Sequence, residues 1–142
     1  MKIACYNHYP APLAYEPGTM QKRLKKVWQT LLARDLILPH AHTHTLDELE
    51  FNLVDDATIT DLHAQFMDDP TPTDVITFHH GEVFVSYDTA QREASERAIP
   101  LQEELYRYHL HGLLHLAGYD DLTPAEHQQM HTLQEALIAE QA

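Results

Sequence analysis

The residues best suited to chemistry lie in one short stretch, HGLLHLAGYDD, which contains His111, His115, Gly118 and Asp121. On an α-helix, residues four apart lie on the same face, so both imidazoles point to the same place. Gly118 comes where a helix can end in a left-handed turn, because a residue without Cβ takes positive φ at little cost. Such a turn brings Asp121 back toward the histidines. The stretch therefore predicts an open three-ligand site that leaves a tetrahedral metal one position for water.

The spacing H-x-x-x-H-x-x-G-x-x-D has the geometry of the metzincin zinc-protease pattern H-E-x-x-H-x-x-G-x-x-H, with two departures. Gly112 stands where those proteases have the glutamate that is their general base, which disfavours a peptidase. Asp121 replaces the third histidine, and a carboxylate is an acceptable zinc ligand. The alternative is a pair of ordinary helix histidines in a chain that contains 12 histidines. The glycine and the acid at matching distances favour the metal site.

Two blocks of the sequence resemble the YbeY family of endoribonucleases. HGLLHLAGYDD is similar to the family pattern H-G-x-L-H-L-x-G-Y-D-H, and Pro72 to Phe78, which read PTDVITF, are similar to P-T-D-V-L-S-F. Weaker similarities are Leu53 to Asp56 and the strand-like run Gly81 to Ser86. The likeness covers roughly residues 48 to 131, and the two main blocks occur in the family's order.

The resemblance implies a zinc-dependent, single-strand-specific endoribonuclease of the bacterial cytoplasm. The role that the resemblance implies is ribosomal RNA maturation, at the 3′ end of the small-subunit rRNA, and ribosome quality control. One Zn²⁺ ion is expected on His111, His115 and Asp121, in a zincin-like metal-hydrolase architecture. The expected partners are single-stranded RNA, ribosomal RNA and ribosomal subunit proteins, with no membrane. No residue is assigned as the general base.

The sequence departs from the family pattern at two positions. Asp121 stands where histidine is common, and Met67 stands where the family usually carries an arginine thought to serve RNA cleavage. Because a methionine cannot hold a phosphate, the chain is expected to use another cation, to cleave poorly or to work mainly as an assembly factor. Two alternative functions stay open. One is a non-catalytic ribosome assembly factor with a structural metal, and the other is a metal-dependent hydrolase of another substrate. Asp120 is expected to orient a ligand histidine or to accept a proton, and Asp74 to cap or brace the adjacent strand.

Bulk properties favour one domain, residues 1–142, in a reducing cytosol. The chain has a single cysteine, Cys5, and no long apolar segment. A net charge of −13 disfavours broad binding of RNA, whose phosphates attract Lys and Arg. However, five of the nine basic residues, Lys22, Arg23, Lys25, Lys26 and Arg34, fall within one predicted helix. This basic strip could face RNA or a ribosomal partner, or it could be a solvated helix face.

Periodicity and turn signals predict four strands and five helices. The strands are 2–9, 48–54, 75–78 and 83–87, and the helices are 19–34, 56–66, 89–98, 102–117 and one that begins at Pro124 after the N-cap Thr123. Pro10, Pro12 and Pro17 are expected to keep the first connection non-helical. The last two strands are expected to form a hairpin. This order predicts an α+β domain with a small mixed β-sheet and helices packed on it.

The other histidines give weaker signals. His40, His42 and His44 alternate in a loop, which by itself defines no metal geometry. His79 and His80, between the hairpin strands, could line a cleft beside the metal, although imidazoles near a turn more commonly lie on the surface. His127 and His131 are four residues apart, but no third ligand follows them, so both are expected to face solvent, with a place near the metal site as the alternative for His127.

Overall fold

A four-stranded mixed sheet supports the candidate site. The computed structural model describes residues 1–141. Its strands are β1 (Lys2–Asn7), β2 (Glu48–Val54), β3 (Val75–Thr77) and β4 (Glu82–Ser86), and its helices are α1 (Pro17–Ala33), α2 (Asp56–Met67), α3 (Tyr87–Arg97), α4 (Leu101–Leu116) and α5 (Pro124–Glu140). A short 3₁₀-helix, His42–Thr45, precedes β2. The predicted order of elements and the α+β class are confirmed.

The strands lie in the order β1-β2-β4-β3. β1 pairs with β2 and β2 with β4 in parallel, whereas β3 pairs with β4 in antiparallel. The antiparallel pair is the expected hairpin, with Ile76 opposite Phe84. Because side chains alternate along a strand, Val83 and Val85 face one side of the sheet and Phe84 faces the other. The two faces bury separate groups of apolar side chains.

Helix α4 runs through the larger of these two cores, and 10 of its 16 residues are buried. It packs against β3 and β4 and is flanked by α1, α3 and α5. Helix α2 covers the opposite face through Ile59, which packs with Ile76. The first half of the metal motif is thus part of the most buried helix, which holds its histidines on a rigid support.

The start of α1 corrects one sequence expectation. Pro17 does not keep the chain non-helical; it is the first residue of the helix, and the Glu16 side chain accepts a hydrogen bond from the Gly18 N–H. Proline is tolerated there because the N–H it lacks would have no partner within the helix. Within residues 1–141, no helix combines the length and the apolar character needed to cross a membrane.

Candidate metal centre

The last two turns of α4 present the histidine pair. His111 and His115 lie on the same helix face, and their Nε2 atoms are 3.1 Å apart. Their rings meet edge to face, with an interplanar angle of 86°. The two nitrogens therefore converge on one point, as the spacing predicts.

The turn after α4 has the geometry of a Schellman motif. The Tyr119 N–H donates to the Leu114 carbonyl at 3.0 Å and the Gly118 N–H to the His115 carbonyl at 3.1 Å. Gly118 has φ of +107°, and a Cβ there would lie 2.8 Å from the Cβ of Leu38. Both the backbone conformation and the close approach of Leu38 require glycine. The left-handed turn at this position is confirmed.

This turn returns Asp121 to the histidines. Its Oδ2 lies 3.6 Å from His111 Nε2 and 3.8 Å from His115 Nε2. Ligands of a tetrahedral zinc ion, at about 2.0–2.2 Å from the metal, are about 3.3–3.6 Å from one another. The three observed separations are close to these values, so the donor set fits a zinc ion with little adjustment. Of residues 1–141, these three are the one group of His, Cys, Asp or Glu side chains with that convergence.

Backbone contacts fix the ring of His115. Its Nδ1–H donates to the Tyr119 carbonyl at 3.0 Å, and the Tyr119 hydroxyl in turn donates to the Leu36 carbonyl at 2.7 Å. Since a carbonyl can only accept, the proton of the neutral ring lies on Nδ1, which leaves the Nε2 lone pair for a metal. Burial, helped by the nearby His111, lowers the pKa of His115 and favours this neutral form.

A chain of polar side chains fixes the ring of His111. Its Nδ1–H donates to Gln134 Oε1 at 3.0 Å, and Gln134 Nε2 donates to Glu135 Oε2 at 3.3 Å. Glu135 is held by Arg107 through Nε at 3.0 Å and Nη2 at 2.8 Å. Because the carboxylate of Glu135 takes the amide N–H, the amide oxygen of Gln134 is left to face His111. Hydrogen bonds of this type orient a ligand imidazole and raise its basicity.

Gln134 was missed by the sequence interpretation, which gave the role of orienting a ligand histidine to Asp120. That alternative is wrong, because the Nδ1 atoms of the two rings bond to Gln134 and to the Tyr119 carbonyl, whereas acceptance of a proton by Asp120 stays a prediction. Gln134 comes from α5, and its position on the apolar stripe of that helix, between Met130 and Leu137, was the signal available in the sequence. Asp74 behaves as expected: its carboxylate accepts the Val75 N–H at the start of β3.

The site opens into a cavity of about 630 Å³. The side chains of His111, His115 and Asp121 are 27%, 24% and 35% exposed, so all three are reachable from solvent. Met67, His79 and Asp120 also line this cavity. A substrate in it would contact the open side of the proposed metal.

Gly112 faces the sheet. A Cβ there would lie 2.6 Å from Val83 Cγ1 and 3.2 Å from Thr77 Oγ1. The position that carries the general base in metzincins is therefore closed to any side chain, which explains in steric terms why the protease pattern is incomplete.

The remaining candidate groups are not among the three converging side chains, although His127 and His131 line a neighbouring cavity together with His111 and Gln134. His109 is buried, and its Nδ1–H donates to the Leu105 carbonyl. His127 and His131 are exposed on α5, as expected. In the basic strip, Arg23 lies over the Tyr106 ring at 3.7 Å and Arg34 pairs with Glu140. Lys22, Lys25 and Lys26 are exposed.

Comparison with known proteins gives consistent matches. The family model described as Endoribonuclease YbeY matches residues 14–142. Endoribonuclease YbeY of Thermobifida fusca is 35% identical over 120 residues, which cover 72% of this chain and 77% of that protein. The Salinibacter ruber protein of the same name is 31% identical over 138 residues, with 86% and 87% covered. A Thermotoga maritima protein solved in solution has a similar fold, with a TM-score of 0.65 at 23% identity, covering 97% of this chain and 87% of that chain.

Proposed function

The chain belongs to the YbeY family of endoribonucleases, and we propose that it is a zinc-dependent endoribonuclease specific for single-stranded RNA. Its proposed role is ribosomal RNA maturation, at the 3′ end of the small-subunit rRNA, and ribosome quality control in the cytoplasm. Ribosomal RNA and ribosomal subunit proteins are the proposed partners. The observation that carries the proposal is the convergence of His111, His115 and Asp121, with both rings oriented by hydrogen bonds.

The proposed chemistry is metal-assisted cleavage of a phosphodiester bond. When bound, a zinc ion lowers the pKa of its water to about 7 and polarises a phosphoryl oxygen. His111 and His115 supply neutral nitrogen donors held in the correct tautomer by Gln134 and by the Tyr119 carbonyl. Asp121 supplies one negative charge, which partly neutralises the ion. The nucleophile is either a water molecule or the RNA 2′-hydroxyl.

The charge of the protein shapes how RNA would bind. With a net charge of −13, the surface as a whole repels a polyanion. Binding then depends on a few local contacts near the metal rather than on a broad basic surface. We therefore expect a shallow dependence of RNA affinity on salt, because few counterions are released when few phosphates are neutralised.

A cleavage assay tests the proposal. We expect the zinc-loaded protein to cut a single-stranded RNA, to leave the matching duplex intact, to lose activity with a chelator and to regain it with zinc. The His115→Ala variant should be inactive and the His131→Ala variant fully active, since His131 is not one of the three converging side chains. Cleavage by a His115→Ala variant that contains no metal would refute the proposed mechanism.

A second candidate is a non-catalytic ribosome assembly factor. The exposed lysines Lys22, Lys25 and Lys26 on α1 favour it, because they lie side by side without an ion pair in the described residues. If docking is the whole function, replacing these lysines by glutamine should abolish association with ribosomal subunits, and the wild-type protein should not cleave RNA. If the protein is a nuclease, His115→Ala should remove turnover and leave association unchanged.

The third candidate is a metal-dependent hydrolase of another substrate. Its peptidase form is disfavoured by the steric closure of Gly112. Hydrolysis of peptides, but not of RNA, by the zinc-loaded protein would favour it.

A further inference from the structure

We propose that His42 and His79 form a phosphate-binding subsite in the metal cavity, which holds a phosphate of the bound RNA strand beside the metal. This inference rests on the proposed function, because it concerns how the same cavity recognises its substrate. We call these two residues the imidazole pair.

The imidazole pair is brought together by two separate loops. His42 begins the 3₁₀-helix before β2, and His79 lies in the turn between β3 and β4. Their ring centroids are 4.0 Å apart, with an interplanar angle of 41°. Both line the cavity of about 630 Å³ that His111, His115 and Asp121 also line. The pair therefore shares one space with the proposed metal ligands.

The rings of the imidazole pair have no hydrogen bond to the protein within residues 1–141. Eight of the 12 histidine rings in the chain do have one, to a carbonyl, a carboxylate or an amide. The other two without one, His127 and His131, are exposed on α5. His42, in contrast, is half-buried, and His79, although exposed, has its ring against that of His42 at the cavity wall. Ring N–H donors at the wall of a cavity, without a protein acceptor, are available to a ligand.

The charge of the cavity points to the same groups. Its described lining contains the carboxylates Asp74, Asp120 and Asp121 and no lysine or arginine. A phosphodiester needs hydrogen-bond donors or positive charge to offset repulsion from these carboxylates. Met67, which also lines the cavity, has a thioether that cannot donate. Apart from the proposed metal and its two histidine ligands, the imidazole pair is thus the one part of the described lining that can carry positive charge.

The pair does not have to be charged before RNA arrives. Burial, together with the nearby ring of His79, lowers the pKa of His42 and favours the neutral form in the free protein. A neutral imidazole still has one N–H donor, and two rings in contact can direct two donors at one anion. The closeness of the rings therefore suits a single phosphate better than two separate ligands.

Binding of an RNA analogue tests the subsite directly. The probe is a single-stranded 2′-O-methyl oligoribonucleotide, and its dissociation constant is measured with the zinc-loaded protein. We expect His42→Ala and His79→Ala each to weaken binding about tenfold, the effect of losing one hydrogen bond to a charged group. Zinc content should not change, and in RNA cleavage KM should rise more than kcat falls.

Matched controls lie next to each member of the pair. His44 is in the same 3₁₀-helix, with its ring bonded to the Leu38 carbonyl, and His80 is in the same turn, paired with Glu82. Neither lines the cavity. His44→Ala and His80→Ala should bind the probe as the wild type does. Equal losses in these controls, or unchanged binding in both pair variants, would overturn the subsite.

The outcomes separate the subsite from the nuclease function. If the wild type cleaves RNA and the pair variants bind and cleave equally well, the subsite is wrong and the function stands. If the wild type binds the probe in a way that depends on His42 and His79 but cleaves no RNA, the subsite stands and the nuclease function is wrong. If the wild type does not bind the probe, the subsite is overturned.

Discussion

Two helices of this protein each carry a pair of histidines four residues apart, and the pairs differ in almost everything else. On α4, His111 and His115 have Nε2 atoms 3.1 Å apart and rings at 86° to each other. On α5, His127 and His131 have ring centroids 6.2 Å apart and nearly parallel rings, at 10°. Both rings on α4 are oriented through Nδ1, whereas neither ring on α5 has a hydrogen bond to the protein within residues 1–141.

The difference shows that helix spacing supplies only the possibility of a metal site. The α4 pair also has a buried support, an acceptor for each Nδ1–H and a turn that returns Asp121 to the open side. The α5 pair is exposed, and no acid converges on it in the described residues. A chelating pair therefore needs its surroundings to fix tautomer, ring angle and third ligand before it becomes a site.

Removing one ligand should produce the largest contrast between the two pairs. His115→Ala should lose the zinc and all RNA cleavage, because the two ligands that remain are too few to hold the ion. His131→Ala should retain one zinc per chain and full activity. Elemental analysis of the purified variants checks this prediction. Loss of zinc from His131→Ala, with zinc retained in His115→Ala, would place the metal on α5 instead.

Removing an orienting contact should have the next largest effect. Gln134→Leu should leave His111 without an acceptor for Nδ1–H and weaken zinc affinity by about 10- to 100-fold. Gln129→Leu, on the exposed face of the same helix, should not change the affinity. Competition with a chelator of known zinc affinity measures both. Equal affinities in the two variants would mean that the hydrogen bond of Gln134 does not orient the ligand.

Overpacking α4 against the sheet should have a smaller effect than removing an orienting contact. Gly112 follows His111 as Gln128 follows His127, but a Cβ at Gly112 would meet Val83 Cγ1 at 2.6 Å, whereas Gln128 is exposed. We expect Gly112→Ala to lower the free energy of unfolding by about 1–3 kcal/mol through overpacking. Gln128→Ala should change it by less than about 0.5 kcal/mol. Denaturant unfolding measures both, and equal stability of the two variants would contradict the close packing of α4 on β4.

Changing the chemistry of the third ligand should have the smallest effect. Asp121→His keeps three donors at the end of the same turn, so zinc should be retained with an affinity within about tenfold of the wild type, whereas Asp121→Ala should lose it. The same chelator competition checks this. Zinc affinity unaffected by Asp121→Ala would show that the carboxylate is not a ligand.

Local structure was largely predictable from the sequence. Strand β2 was predicted with its observed bounds, Glu48–Val54, because apolar residues alternate between turn signals. The convergence of His111, His115 and Asp121 was also predictable, since a helix period and one glycine turn decide it. Pro17 was misjudged because proline both breaks helices and begins them, and the capping contact of Glu16 decides between the two.

The rest depends on contacts between distant segments. The parallel pairing of β1 with β2 and of β2 with β4 has no local signal. Gln134 reaches His111 only because α5 packs on α4. His42 and His79 meet because the loop before β2 and the turn after β3 close on the same cavity. In each case the residue types were visible, but their neighbours were set by tertiary packing.

Zinc K-edge X-ray absorption spectroscopy on the protein loaded with one equivalent of zinc tests the central claim most directly. It should detect two imidazole nitrogens, with oxygen atoms as the only other donors and no sulfur. All zinc–ligand distances should be about 2.0–2.2 Å. The same two-imidazole spectrum is expected from the His127→Ala/His131→Ala double variant. A spectrum without imidazole, or one that loses its imidazole signal in that double variant, would contradict the assignment of the metal to His111, His115 and Asp121.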